Sequence, residues 1–175
     1  MRYSFLKRTD QEIALPRDAG STPPPGVDMP TALRAAALSP NRVRQVGAVL
    51  VTRDGTQITS CNTFPAGIRD LDERHEGDGR FVWMEHAERH AIFEAARCGV
   101  ATAAARITTT FFPCIDCARA IVDAGIRCVD TPAPEFSDPV WGVAFERSQI
   151  ILQEGGVDIR IVIVEDGVQR SVEKL

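Results

Sequence analysis

Arg106-Ile107-Thr108-Thr109-Thr110-Phe111-Phe112, followed at once by Pro113-Cys114-Ile115-Asp116-Cys117, carries the strongest fold signal in the chain. Its first seven residues are β-branched and aromatic, the composition of a strand. Pro113 ends the strand and opens a helix expected from Cys114 to Asp123, closed by Gly125. A strand feeding directly into a helix is half of a crossover unit, so a sheet with helices on its faces is expected. Cys114 and Cys117 stand three residues apart and face the same side of the first helical turn. Free amides and the helix dipole there favour negative charge, which thiolates supply.

His86-Ala87-Glu88 lies upstream and begins a second helix, which is expected to bury Ile92, Phe93 and Ala96 and to end near Cys98-Gly99. One imidazole and two thiolates form the ligand set of a catalytic zinc that keeps a fourth position open for water. Such an ion lowers the pKa of its water toward about 7. Glu88, two residues past the ligand, points away from the ligand position and is placed to move that water's proton. Two other readings use the same cysteines. A Cys-x-x-Cys pair near a strand-helix unit is also a redox motif, although the His-x-Glu upstream and the absence of a Trp-Cys-Gly context weigh against it. A structural zinc would take a fourth ligand from Cys61, His75 or His90 and would leave Glu88 without a role.

Further from the cysteines, Val46-Gly47-Ala48-Val49-Leu50-Val51 and Gln57-Ile58-Thr59-Ser60-Cys61 flank Asp54-Gly55, a strong hairpin signal, so these two strands are antiparallel neighbours. Asn62 ends the second strand, either as a turn residue satisfying its own backbone or with its carboxamide offered to a ligand. Residues 63–70 read as a loop and 71–80, rich in charge and glycine, as exposed. Phe64, Trp83, Phe111 and Phe112 are candidates to wall a flat ring, or else core, and His90, one turn after His86, is a candidate pocket residue. Ile126 to Asp130 reads as a fourth strand. Val140 to about Gln153, with apolar Val140, Val143, Ala144, Ile150 and Ile151, reads as a helix, and Val157 to Val164 as a fifth strand parallel to the fourth.

The chain divides into three segments. Residues 1–30, with the Pro23-Pro24-Pro25-Gly26 run, form an arm or linker; 31–165, opening on a short helix capped by Thr31, form one domain; 166–175 form a polar tail. At 175 residues one core is the default. No apolar run approaches the ~20 residues of a membrane span, and the charged opening does not read as a signal peptide, so no membrane contact and a cytoplasmic location are expected. Five cysteines without a secretory segment argue for metal-binding or buried thiols, with Cys61, Cys98 and Cys128 as the buried ones. A net charge of −4 lacks the basic footprint of a nucleic-acid binder and points to a small-molecule substrate.

With these motifs in place, the chain from about Val43 to Val164 resembles the cytidine and deoxycytidylate deaminase superfamily. His86-Ala87-Glu88 and Pro113-Cys114-Ile115-Asp116-Cys117-Ala118 carry the resemblance. Val46 to Val51, Asn62-Thr63-Phe64-Pro65-Ala66-Gly67-Ile68-Arg69-Asp70 and Ala124-Gly125-Ile126 look most like the deoxycytidylate deaminase branch. The resemblance implies an α/β fold, a three-layer α/β/α sandwich with a mixed five-stranded sheet, and one catalytic zinc per chain on His86, Cys114 and Cys117. It implies Glu88 as proton shuttle, substrate contacts from Asn62 and the backbone of Ala87, and a homo-oligomer, dimer or hexamer. The chain departs from the branch at His90, where asparagine is usual, and at Thr63, where glycine follows the asparagine. The expected reaction is hydrolytic removal of an amino group from dCMP or a related pyrimidine. The alternatives are another free aminated heterocycle, adenosine in tRNA, or a non-catalytic zinc-bearing subunit. A 5′-phosphate would meet Arg69 or an arginine of the Arg42/Arg44 pair.

Overall fold

A computed structural model of the protein describes residues 22–26, 29–165 and 168–175. The first hairpin forms as its turn signal requires: β1 (Gly47–Val51) and β2 (Gln57–Cys61) run antiparallel across Gly55, whose φ of +87° is the left-handed conformation that favours glycine. β1 is buried at every position because its other edge is taken by β3 (Arg106–Thr109), also antiparallel. β3, β4 (Cys128–Thr131) and β5 (Asp158–Glu165) are mutually parallel, joined by the crossover helices α4 (Ile115–Asp123) and α5 (Gly142–Glu154).

All five expected strands are present, and the described residues add a sixth. β6 (Val168–Lys174) pairs antiparallel with β5 at the sheet edge, so the order is β2-β1-β3-β4-β5-β6. The segment read as a polar tail is therefore largely strand. Its sequence, Val168-Gln169-Arg170-Ser171-Val172-Glu173-Lys174, is polar because it lies at an edge, and Asp166-Gly167 before it repeats the hairpin signal of Asp54-Gly55.

The two faces of the sheet are set by the alternation of β1. Ala48 and Leu50 pack with Ala87, Ala91, Ile121 and Phe145, whereas Val49 and Val51 meet Met29, Ala32 and Val162 on the other side. α3 (Ala87–Arg97), α4 and α5 thus cover one face and α1 (Met29–Ala36) the other, the expected three layers. α1 begins before Thr31, whose hydroxyl accepts a bond from Arg34 Nη2 inside the helix at 2.7 Å instead of capping it. It lies so close to the sheet that a Cβ on Gly47 would stand 2.2 Å from the carbonyl oxygen of Ala32.

The helices bury other residues than the apolar pattern suggests. α3 lays Ala87, Ala91 and Ala95 against the sheet while Phe93 is 53% exposed and Ala96 faces solvent. Spacing of four makes that alanine stripe, and small side chains permit the close approach. α5 buries Phe145, Ser148 and Leu152, leaving Val140, Val143 and Ile150 exposed. Cys98 is exposed as well, at the free end of α3, whereas Cys128 is buried as expected and Cys61 is partly so. A short helix, α2 (Gly79–Trp83), follows a 3-10 turn at Asp72–Arg74, in a stretch read as open loop. Among the described residues no helix is long and apolar enough to cross a membrane.

Candidate active site

Two helix starts meet at one point. His86 is the N-cap of α3 and Cys114 the N-cap of α4, each with extended backbone and neither making the usual side-chain cap bond. Their side chains turn instead toward each other and toward Cys117 in the first turn of α4. His86 Nδ1 stands 3.4 Å from Cys114 Sγ and 3.5 Å from Cys117 Sγ. Zinc–nitrogen and zinc–sulfur bonds of ordinary length at a tetrahedral angle require a separation of roughly 3.6 Å. The three atoms therefore fit a zinc ion as they stand, and they are the one such His/Cys/Asp/Glu group among the described residues. Among the described residues no fourth protein ligand joins them: His75 is engaged with Asp70 at 2.5 Å, and His90 has Glu94 3.9 Å from its Nε2.

Hydrogen bonds from the surrounding layers hold both starts. Ser60 Oγ donates to the Ala87 carbonyl at 2.5 Å, fixing α3 to β2. Ser148 Oγ donates to the Pro113 carbonyl at 2.7 Å, fixing the strand-to-helix corner to α5. Both bonds are buried, where an orphaned carbonyl would be costly. Arg89 bridges the two starts, with Nη2 2.5 Å from Glu85 and Nη1 3.7 Å from Asp116.

Glu88 is 3% exposed and is not among the three ligand atoms. The Cys117 thiol points to its Oε2 at 3.4 Å, and the Thr109 hydroxyl lies 3.4 Å from its Oε1 and 3.2 Å from the Phe111 carbonyl. Thr109 has one proton to give. It can donate to a Glu88 carboxylate, or accept from a protonated Glu88 while turning to Phe111. Burial first, and then the Cys114 thiolate, pushes the Glu88 carboxyl above its ordinary range. The Cys114 thiol is drawn down to about 4, chiefly by the hydrogen bond from Cys117 and also by His86. Cys117 is pushed up by the same bond and by burial.

Above the cluster opens a cavity of about 120 Å³. His86, Ala87, Glu88 and Cys114 form its floor, with Phe111 and Phe112 beside them. Asn62 lines it too, though its carboxamide is largely committed: Oδ1 accepts from the Val46 amide at 2.8 Å and Nδ2 donates to the Arg44 carbonyl at 2.9 Å. Asn62 thus ties down the distant segment that carries Arg44 instead of its own turn. The Arg44 guanidinium stacks on Phe111 at 4.2 Å.

Arg80 and Phe81 of α2 and Trp141 complete the mouth, and the sequence reading had left all three out. Their signal was an aromatic and an arginine at the end of a charged stretch, and one of only two tryptophans directly before a helix. Trp141 stacks on Phe145, which also meets Phe111 and Phe112 edge-on. Phe64, Trp83 and His90 do not line this cavity. Phe64 packs edge-on against His75, which places that ring under cover instead of in solvent. Trp83 lies beneath the Arg74 guanidinium at 4.1 Å, and His90 points along α3 toward Glu94. Arg42 pairs with Asp72 and Arg69 is not in the lining, so Arg44 is the expected arginine that reaches the cavity.

The sequence pattern of the cytidine and deoxycytidylate deaminase zinc-binding region matches residues 28–131, more than half of the chain and all four residues of the floor. The chain belongs to this deaminase family. It is accordingly a zinc-dependent hydrolase acting on C–N bonds of cyclic amidines. Among similar proteins, an uncharacterized deaminase in the luxG 3′ region of Aliivibrio fischeri is 31% identical over 117 residues, covering 66% of this chain and 77% of that protein. A probable deoxycytidylate deaminase of Drosophila melanogaster is 28% identical over 144 residues, covering 75% and 68%. The dCMP deaminase of cyanophage S-TIM5, solved in complex with dCMP and dUMP, superposes with a TM-score of 0.58 at 24% identity over 75% of this chain and 90% of that one. This deaminase shares its fold with that structure.

Proposed function

We propose that this deaminase acts on a pyrimidine nucleotide, with dCMP as the first candidate, and that Glu88 is its proton carrier. The observation that carries the reading is a buried carboxyl left free beside a three-ligand cluster, at the floor of a cavity whose mouth holds two arginines. His86, Cys114 and Cys117 would hold the zinc, which when bound makes water nucleophilic near neutral pH.

Glu88 takes a proton from the attacking water and passes it to the ring nitrogen, then protonates the departing amino group. The ring carbon exchanges its C–N bond for a C–O bond, so one water is consumed, one ammonia leaves and a carbonyl remains. Thr109 follows the change by donating to Glu88 when it is ionised and accepting when it is protonated. The Ala87 carbonyl is occupied by Ser60, so its amide is what remains for the ring. Phe111 and Phe112 stand beside the ring, and Arg44 and Arg80 receive the 5′-phosphate. A guanidinium is suited to that anion by its fork of donors.

A second reading, deamination of another free aminated heterocycle, rests on the sequence departures from the deoxycytidylate branch at His90 and Thr63, neither of which lines the cavity. Ammonia release from cytosine, cytidine, dCMP, adenine, guanine and non-canonical aminated rings, with Glu88→Gln as control, separates the two. Turnover of dCMP well above cytidine supports the nucleotide; an inert dCMP beside another active ring assigns the second reading. Turnover of no ring, with zinc bound, would favour a non-catalytic subunit. The assembly we propose is a homo-oligomer, dimer or hexamer, and sedimentation of the zinc-loaded chain as a monomer would contradict it.

A further inference from the structure

On the sheet face turned away from the active site, a charged group occupies positions where apolar residues would be expected. Arg106 of β3, Asp130 of β4 and Arg160 of β5 come from adjacent strands, with Asp130 and Arg160 directly paired in register. Their neighbours Ile107, Val129, Ile159 and Ile161 all face the opposite, helix-covered side. The side chains of Arg106 and Asp130 are only 9% and 8% exposed, that of Arg160 35%.

This triad is incompletely paired. Arg106 Nη1 stands 3.4 Å from Asp130 Oδ2 and Arg160 Nε stands 3.6 Å from Oδ1. Charge-assisted bonds close to about 2.7–2.9 Å. Arg106 Nε is buried with no hydrogen-bond partner. Among the described residues one carboxylate answers two guanidiniums, and the nearby Asp158–Lys174 pair, at 2.6 Å, neutralises itself. Burial pushes the Asp130 carboxyl up despite both arginines. Among the described residues a net positive charge with an unused donor is left beneath the surface, a costly arrangement unless a counter-charge meets it.

The triad lines an open cavity of about 680 Å³. The strap of residues 22–26 forms one wall and lies directly on the triad: a Cβ on Gly26 would stand 2.3 Å from Asp130 Oδ2 and 2.8 Å from Arg106 Cδ. Gln169 forms another wall. Its Oε1 accepts from the Met29 amide at 3.2 Å, which leaves its NH₂ group as donor to the cavity. Donors thus come from three side chains on different sides, an arrangement that suits a tetrahedral oxyanion with acceptors all round better than a planar carboxylate.

We propose that this cavity binds a phosphate group, free or carried on a small ester, between Arg106, Arg160 and Gln169. Asp130 orients both guanidiniums without cancelling their charge. The site is separate from the arginines at the mouth of the active site, with the sheet between them.

Calorimetric titration of the full chain tests this, with inorganic phosphate and with ribose 5-phosphate at fixed ionic strength. Arg44→Gln and Arg80→Gln are introduced first, so that the active-site mouth contributes no binding. That variant is expected to bind phosphate, and adding Arg160→Gln is expected to weaken the affinity at least tenfold. Gln169→Glu, which places a negative charge in the cavity wall, is expected to do the same, with thermal unfolding checking that each variant folds. Tighter binding of the ester would identify an esterified ligand, equal binding a free ion; both support the site. Absence of binding in the Arg44→Gln/Arg80→Gln chain, or an affinity unchanged by both Arg160→Gln and Gln169→Glu, would overturn it.

Discussion

The floor of the active-site cavity and its mouth are built in different ways. The floor comes from two helix starts, where short spacings fix the geometry: two residues from His86 to Glu88 and three from Cys114 to Cys117. The mouth gathers Arg44 from the approach to β1, Arg80 and Phe81 from α2 and Trp141 from the start of α5, segments far apart in sequence. The floor and the corner beside it are tied to β2 and α5 by two buried bonds, Ser60 to the Ala87 carbonyl and Ser148 to the Pro113 carbonyl. The mouth is held by stacking, Arg44 on Phe111 and Trp141 on Phe145, with Phe81, 46% exposed, at its edge. In the proposed function, chemistry belongs to the locally encoded part and substrate choice to the part assembled from distant pieces.

Four substitutions test that division. The largest effect is expected from Cys114→Ala, which removes a ligand: bound zinc should fall well below one per chain by elemental analysis, and ammonia release should vanish with it. Glu88→Gln should keep the zinc and lose activity by about 10²–10⁴-fold, the usual worth of a positioned acid-base group. If Glu88→Gln also lost its zinc, floor chemistry and metal binding would not be separable as claimed. At the mouth, Arg44→Gln should raise KM for a phosphorylated substrate by roughly tenfold or more, one charged hydrogen bond's worth, with kcat little changed and the nucleoside unaffected. An equal loss on nucleoside and nucleotide would move Arg44 from phosphate recognition to general structure. The smallest effect is expected from Ser148→Ala, which orphans the Pro113 carbonyl and should lower stability in denaturant by about 1–3 kcal/mol while zinc binding persists.

The same division explains what was legible in the sequence. Five strands, the antiparallel hairpin and the parallel crossovers follow from apolar runs, Asp54-Gly55 and the strand-to-helix step at Pro113, all signals confined to a few neighbouring residues. The sixth strand was passed over because an edge strand is polar, and its Asp166-Gly167 signal went unread. The buried stripes of α3 and α5 were misassigned because large apolar residues drew attention to Phe93 and Val143, whereas contact with the sheet selects Ala91, Ala95 and Phe145. At the site, His86, Glu88, Cys114 and Cys117 are legible because their spacing on a helix start determines where they point. Phe64, Trp83 and His90 lie near the motifs in sequence and away from the cavity in space. Arg80 and Trp141 are the reverse, since only the packing of α2 and α5 brings them in.

The proposed chemistry requires zinc held by three protein atoms and no more. X-ray absorption at the zinc edge of the loaded chain reads this in solution. Two sulfur and two nitrogen or oxygen neighbours are expected, from Cys114, Cys117, His86 and one solvent molecule, and the Glu88→Gln protein should give the same shell. A third sulfur, or a shell that changes when Glu88 is substituted, would contradict an ion left open for water beside a free carboxyl.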